Sequence, residues 1–128
     1  MVNVIKSFDH VAITVKDLDS TIEWYVENMG FTVKRTIENK ERGMRIAFLE
    51  AGSGATLEFF GFVDPEKVVE GPKLKAEETG IKHISFLVDD LDEMCKRLKS
   101  AGVEFTAVTA GRAVFKDPND IVIEMRLS

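Results

Sequence analysis

The sequence is short of most features that mark specialised classes of protein. Its one cysteine, Cys95, cannot close an internal disulfide, so the chain is no cystine-stapled scaffold and suits a reducing compartment. With three prolines and no low-complexity run, it is not a linker or a disordered tail. No apolar run approaches the roughly 20 residues needed to cross a bilayer, and the opening MVNVIKSFDH lacks the apolar centre of a secretory signal. A cytoplasmic location is the expectation. Lys and Arg number 17 against 22 Asp and Glu, for a net charge of −5. That balance leaves no basic face for a nucleic-acid backbone or an anionic membrane surface.

Histidine is nearly as scarce, with two in the chain, and both fall at the same point of a repeated stretch. DHVAITVKDLDS, from Asp9 to Ser20, aligns without a gap on KHISFLVDDLDE, from Lys82 to Glu93. The chain is 128 residues long and 45% apolar, which suits one compact domain, residues 1–128, with a real core. The repeat divides that domain into two similar halves.

Each half reads as βαβββ, making an α+β protein. Alternating, β-branched residues from Phe8 to Val15 predict a strand, and KDLDS then supplies acidic residues suited to cap a helix. Leu18, Ile22, Tyr25 and Met29 recur at helical spacing up to a stop at Gly30. Strand-like runs follow from Phe31, Met44 and Ala55, separated by NKERG and AGSG turns. The second half gives a strand over Ile81–Val88, a helix over Leu91–Ser100 closed by Gly102, and strands near VEFTAVT, RAVFKD and DIVIEMRL. Cys95 falls at helical spacing with Leu91, Met94 and Leu98 and is read as core. The modules span about residues 4–63 and 80–127. The charged linker 64–79, with Pro65, Gly71 and Pro72, connects them or forms a lid.

Strand alternation puts His10, Ala12 and Thr14 on one face and Val11, Ile13 and Val15 on the other, which the helix must cover. By the same count His83, Ser85 and Leu87 share an uncovered face. Glu58 lies between Leu57 and Phe59, and Glu124 between Ile123 and Met125, each pointing away from its apolar flanks. A carboxylate embedded in an apolar strand is costly unless a cation or hydrogen-bond donors stabilise it. Each of the four, taken singly, reads as a rim histidine or an edge-strand charge. Together, as one imidazole and one carboxylate per module in register, they predict an N2O2 site for a divalent metal. The modules pair within one chain or exchange between two.

The stretches FDHVAITVKDLDSTIEWYVENMGF, the LEF around Glu58, GIKHISFLVDDLDEMCKRLKSAGV and FKDPNDIVIEM resemble the vicinal oxygen chelate superfamily over nearly the whole chain. That resemblance implies paired βαβββ modules in a half-open barrel around a metal. A ligand order of His, Glu, His, Glu is most like glyoxalase I, the lactoylglutathione lyase class. It implies His10, Glu58, His83 and Glu124 as ligands of one divalent metal per site, Ni²⁺ or Zn²⁺ foremost and Co²⁺ next. It further implies Glu58 and Glu124 as catalytic carboxylates, a small-molecule hemithioacetal or α-hydroxycarbonyl substrate, an enediolate intermediate and a homodimer.

Thr14 and Phe62 stand where bacterial glyoxalases usually carry the Arg and Asn that hold glutathione, so the thiol cosubstrate is open. Arg35, Arg45 and Arg112 are substitutes for that role or plain strand-edge charges. Two alternatives share the fold. One is an epimerase of the methylmalonyl-CoA type; the other is a non-enzymatic drug-binding module, whose cleft Trp24, Phe59, Phe60 and Phe62 would line if they are not core.

Overall fold

Two aspartates at matching places start the two helices. The Asp17 side chain accepts from the Ser20 backbone N–H at 2.8 Å and opens α1 (Leu18–Met29), while Asp90 accepts from Glu93 at 3.0 Å and opens α2 (Leu91–Ser100). Gly30, left-handed at φ 72°, closes α1 and returns its N–H to the Tyr25 carbonyl. The computed structural model describes residues 2–128.

Around these helices the strands are β1 (Val11–Thr14), β2 (Thr32–Asn39), β3 (Met44–Ala51) and β4 (Ala55–Phe62) in the first module. β5 (Ile84–Val88), β6 (Phe105–Thr109), β7 (Arg112–Lys116) and β8 (Val122–Leu127) form the second. They build two open four-stranded sheets, ordered β1-β4-β3-β2 and β5-β8-β7-β6. In each, the first strand pairs parallel with the last and the other pairs are antiparallel. This is the expected α+β arrangement of two βαβββ modules. Between them, residues 64–79 hold one short 3₁₀ turn, Pro65–Lys67, and no strand.

Both leading strands begin later than alternation suggests, at Val11 rather than Phe8 and at Ile84 rather than Ile81. Phe8 is 81% exposed and Ile81 84% exposed, so an apolar residue in register found no neighbour to pack on. The histidines therefore sit one residue before each strand, at its mouth.

The predicted faces hold. Ile13, Val15, Leu57, Phe59, Ala47 and Leu49 are buried with Leu18 and Tyr25 of α1. Ala113, Phe115, Ile123 and Met125 are buried with Leu91 and Leu98 of α2, and Cys95 packs at the margin of this cluster. Gly61 is required where β4 passes under α1, because a Cβ there would lie 2.6 Å from the Leu18 Cβ. Among the described residues no helix is long and apolar enough to cross a membrane.

The modules join on their helix-covered sides. Trp24, Met29, Ile84, Phe86 and Ile121 pack against both clusters, and Phe31 meets Phe86 edge-on at 5.7 Å. At the centre, the Tyr25 hydroxyl donates to Asp117 Oδ2 at 2.7 Å, and Asp117 Oδ1 accepts from the Asn119 and Ile121 backbone N–H groups. Burial pushes the Asp117 carboxyl above its ordinary range, against the lowering effect of those three donors, and pushes the Tyr25 hydroxyl up as well. Asn119 adds links to Thr21 and to the Lys16 backbone. With the helical sides committed to this joint, the opposite face of each sheet is left open.

Candidate metal centre

Register places one imidazole and one carboxylate on each open face. In the first sheet Ala12 of β1 is the partner of Glu58 in β4, which brings His10, two residues earlier, close to that carboxylate. His10 Nε2 lies 3.6 Å from Glu58 Oε1. In the second sheet Ser85 of β5 is the partner of Glu124 in β8, and His83 Nε2 lies 3.9 Å from Glu124 Oε1. Both imidazoles are open to solvent, with side chains 36% and 42% exposed, while Glu58 and Glu124 are sunk to 15% and 7%.

The structure thus joins the four predicted residues as two pairs. Among the described residues of one chain no group of three or more His, Cys, Asp or Glu side chains is poised around a common point.

Several neighbours of these pairs are invisible to strand alternation. Asp9 Oδ2 takes the His10 Nδ1–H at 2.6 Å, which leaves Nε2 as the lone-pair nitrogen facing Glu58. That hydrogen bond also raises the His10 pKa above its usual 6.5. The signal in the sequence was the DH dipeptide, against KH in the second module. Glu124 is gripped more firmly. Arg112 Nε donates to its Oε2, Ser85 Oγ donates to its Oε1 at 2.8 Å, and an Arg126 NH lies 3.8 Å away. The Arg112 and Ser85 hydrogen bonds hold the Glu124 carboxyl below the usual carboxylate range.

Of the arginines singled out in the sequence, Arg45 pairs with Asp19 at 2.9 Å, Arg35 stacks on the Phe48 ring at 4.6 Å, and Arg112 holds Glu124. Of the aromatic candidates, Phe59 is fully buried and Trp24 packs between the modules. Phe60 and Phe62 stand half-buried on the open face of β4.

Chemically, a neutral imidazole nitrogen beside a carboxylate is half of a site for a borderline divalent cation. Two such halves supply the two nitrogens and two oxygens that such a cation accepts, leaving positions for a substrate with adjacent oxygens. The donor types fit a metal of this kind.

Known proteins carry the same framework. Residues 7–125 match the family model of the Glyoxalase/Bleomycin resistance protein/Dioxygenase superfamily. A probable lactoylglutathione lyase of Vibrio cholerae is 33% identical over 129 aligned residues, covering 91% of this chain and 86% of that protein. An uncharacterised Bacillus subtilis protein, YwkD, is 29% identical over 95% of this chain and 97% of its own. Among solved structures, the trypanothione-dependent glyoxalase I of Leishmania major superposes with a TM-score of 0.79 at 25% identity, covering 96% of this chain and 87% of that one. Fold, duplicated modules and family model agree: this chain belongs to the Glyoxalase/Bleomycin resistance protein/Dioxygenase superfamily.

Proposed function

We propose that the chain is a metal-dependent lyase or isomerase of glyoxalase I type. It acts on a hemithioacetal or related α-hydroxycarbonyl through an enediolate, with His10, Glu58, His83 and Glu124 holding one divalent cation. The observation that carries this reading is the presence, on each open face, of an imidazole Nε2 within 4 Å of a partly buried carboxylate. The lactoylglutathione lyase names among its relatives support it.

Because one chain presents its donors as two separate pairs, the complete set needs two copies, with the first module of one chain facing the second module of the other. A twofold dimer built this way makes two equivalent sites. When bound, the metal supplies positive charge that stabilises the two adjacent oxygens of an enediolate.

The protein groups do the rest. Asp9 fixes the His10 tautomer. Ser85 and Arg112 hold Glu124 in place. Glu58 and Glu124, from opposite modules, are the carboxylates that take a proton from one substrate carbon and return it to the next. Ni²⁺ and Zn²⁺ both suit imidazole with carboxylate, and Co²⁺ does as well.

The test is elemental analysis of purified protein after loading with Ni²⁺, Zn²⁺ or Co²⁺, followed by NMR detection of solvent deuterium entering hemithioacetals of several thiols. About one metal per chain, with metal-dependent exchange at the substrate carbon, is the expected result. A protein that takes up none of the three cations is a binding module instead.

A further inference from the structure

The two modules agree at their imidazoles and carboxylates and differ sharply around them. Glu58 has Ala12 beside it in β1 and Phe48 beside it in β3; two residues along, Ile46 and Phe60 face each other across β3 and β4. Glu124 has Ser85 and Val114 in the same places, and two residues along, Arg112 and Arg126 face each other across β7 and β8. The positions that hold an apolar pair in one module hold a doubly cationic pair in the other.

Like charges directly opposite in an antiparallel ladder destabilise it, so the arginine pair needs a compensating anion. Glu124 supplies one carboxylate for two guanidinium groups, and among the described residues no other carboxylate is paired with either. Both arginines stay reachable, with side chains 39% and 57% exposed. Arg112 reaches the Glu124 carboxylate through its Nε, and Arg126 lies 3.8 Å from it, so one negative charge is shared between two guanidinium groups. Two guanidinium forks on one face then form a receptor for a planar or tetrahedral oxyanion. The other open face offers the reverse chemistry, with Ile46, Phe48, Phe60 and Phe62 half-buried along β3 and β4.

We infer that the substrate of the site proposed above, on which this inference rests, is an amphiphilic anion. Its carboxylate or phosphate sits on Arg112 and Arg126, and its hydrocarbon part lies against Ile46 and Phe60 of the facing module. Arg112 keeps its Nε on Glu124 and turns its terminal NH groups to the ligand anion. The arginine pair takes over the anchoring of an acidic substrate at a point of the second module, well apart in sequence from Thr14 and Phe62.

The experiment is calorimetric titration of Zn²⁺-loaded protein with 3-phenylpropionate, 3-phenylpropionamide, propionate and phenyl phosphate, in wild type, in R112Q/R126Q, in R112K/R126K and in F60A. Wild type binds 3-phenylpropionate or phenyl phosphate at least tenfold tighter than the neutral amide, and the tighter of the two identifies the anion. R112Q/R126Q loses at least tenfold in that affinity and binds the amide unchanged. R112K/R126K keeps part of the affinity, which separates loss of charge from loss of fold. F60A weakens the phenyl ligands and leaves propionate unaffected. Equal binding of acid and amide by wild type, or undiminished acid binding by R112Q/R126Q, overturns the inference. Zn²⁺ uptake is measured on the same samples. Loss of uptake with arginine-dependent binding intact sinks the metal reading and leaves the anion receptor standing; uptake with arginine-independent binding does the reverse.

Discussion

The Tyr25–Asp117 hydrogen bond ties α1 to the β7–β8 connection, 92 residues away in sequence, and its removal has a calculable cost. Tyr25 is fully buried and Asp117 is 4% exposed, so no water replaces a lost partner. Tyr25→Phe leaves Asp117 Oδ2 without its donor, at about 1–3 kcal/mol for an unsatisfied buried acceptor. Asp117→Ala orphans three donors at once, the Tyr25 hydroxyl and the Asn119 and Ile121 backbone N–H groups, but also relieves the burial of a carboxylate. A net loss of about 2–4 kcal/mol follows. In the Asp117→Ala background the hydroxyl is already orphaned, so adding Tyr25→Phe costs nothing further, and urea unfolding of the four proteins gives a coupling equal to the Tyr25→Phe cost, about 1–3 kcal/mol.

The dependence on pH has a definite sign. Burial raises the folded-state value of Asp117 above its ordinary 3.8. The stability it contributes is therefore fully present below the unfolded value and is lost as the pH rises through the folded one. The gap between wild type and Asp117→Ala accordingly narrows as the pH rises through that range. Additive single-mutant costs, or a gap that widens with rising pH, refute this account of the joint between modules.

Other outcomes follow from the same structure. His10→Ala and Glu124→Gln abolish metal-dependent turnover while the protein stays folded, because His10 is open to solvent and the isosteric Gln side chain still accepts from Arg112 and Ser85. Glu124→Gln lowers the melting temperature more, by removing the counter-charge of the arginine pair; full activity in either variant removes that residue from the site. Asp9→Asn lowers metal affinity by about tenfold, the lower end of the usual effect of a histidine's outer partner, since Asp9 is 91% exposed; unchanged affinity by metal titration contradicts its orienting role. Gly61→Ala forces a Cβ to within 2.6 Å of Leu18 Cβ and costs about 1–3 kcal/mol in urea unfolding; a neutral result shows that α1 yields easily.

How far the sequence carried the account depends on which interactions are local. Helix starts at Asp17 and Asp90, the stop at Gly30 and the inward faces around Ile13 and Phe59 follow from spacing and capping, and all are found in place. The duplicated His and Glu positions were legible for the same reason, since a period of two fixes which face a strand residue occupies. The strands start later than the alternation implies because Phe8 and Ile81 fit the pattern but meet nothing to pack on. Contacts between elements left weaker traces. That Asp117 would be locked to Tyr25 and that Arg112 and Ser85 would grip Glu124 depend on packing between modules and on strand register, which no local pattern encodes, whereas the Asp9–His10 bond lies between sequence neighbours and left its trace in the DH dipeptide. Arg45, a candidate ligand-binding cation in the sequence, proves to be an exposed partner of Asp19.

The central claim is that two half-sites from two chains complete one metal centre. It is tested most directly by co-expressing, under different affinity tags, a chain carrying His10→Ala and Glu58→Gln with a chain carrying His83→Ala and Glu124→Gln. Each variant alone lacks one half of every site and holds no metal. Purified through both tags, the mixed dimer keeps one intact first module facing one intact second module, and holds about one metal per two chains against about one per chain in wild type. A mixed dimer that holds no metal, beside a wild type that does, contradicts the account and places the whole centre within a single chain.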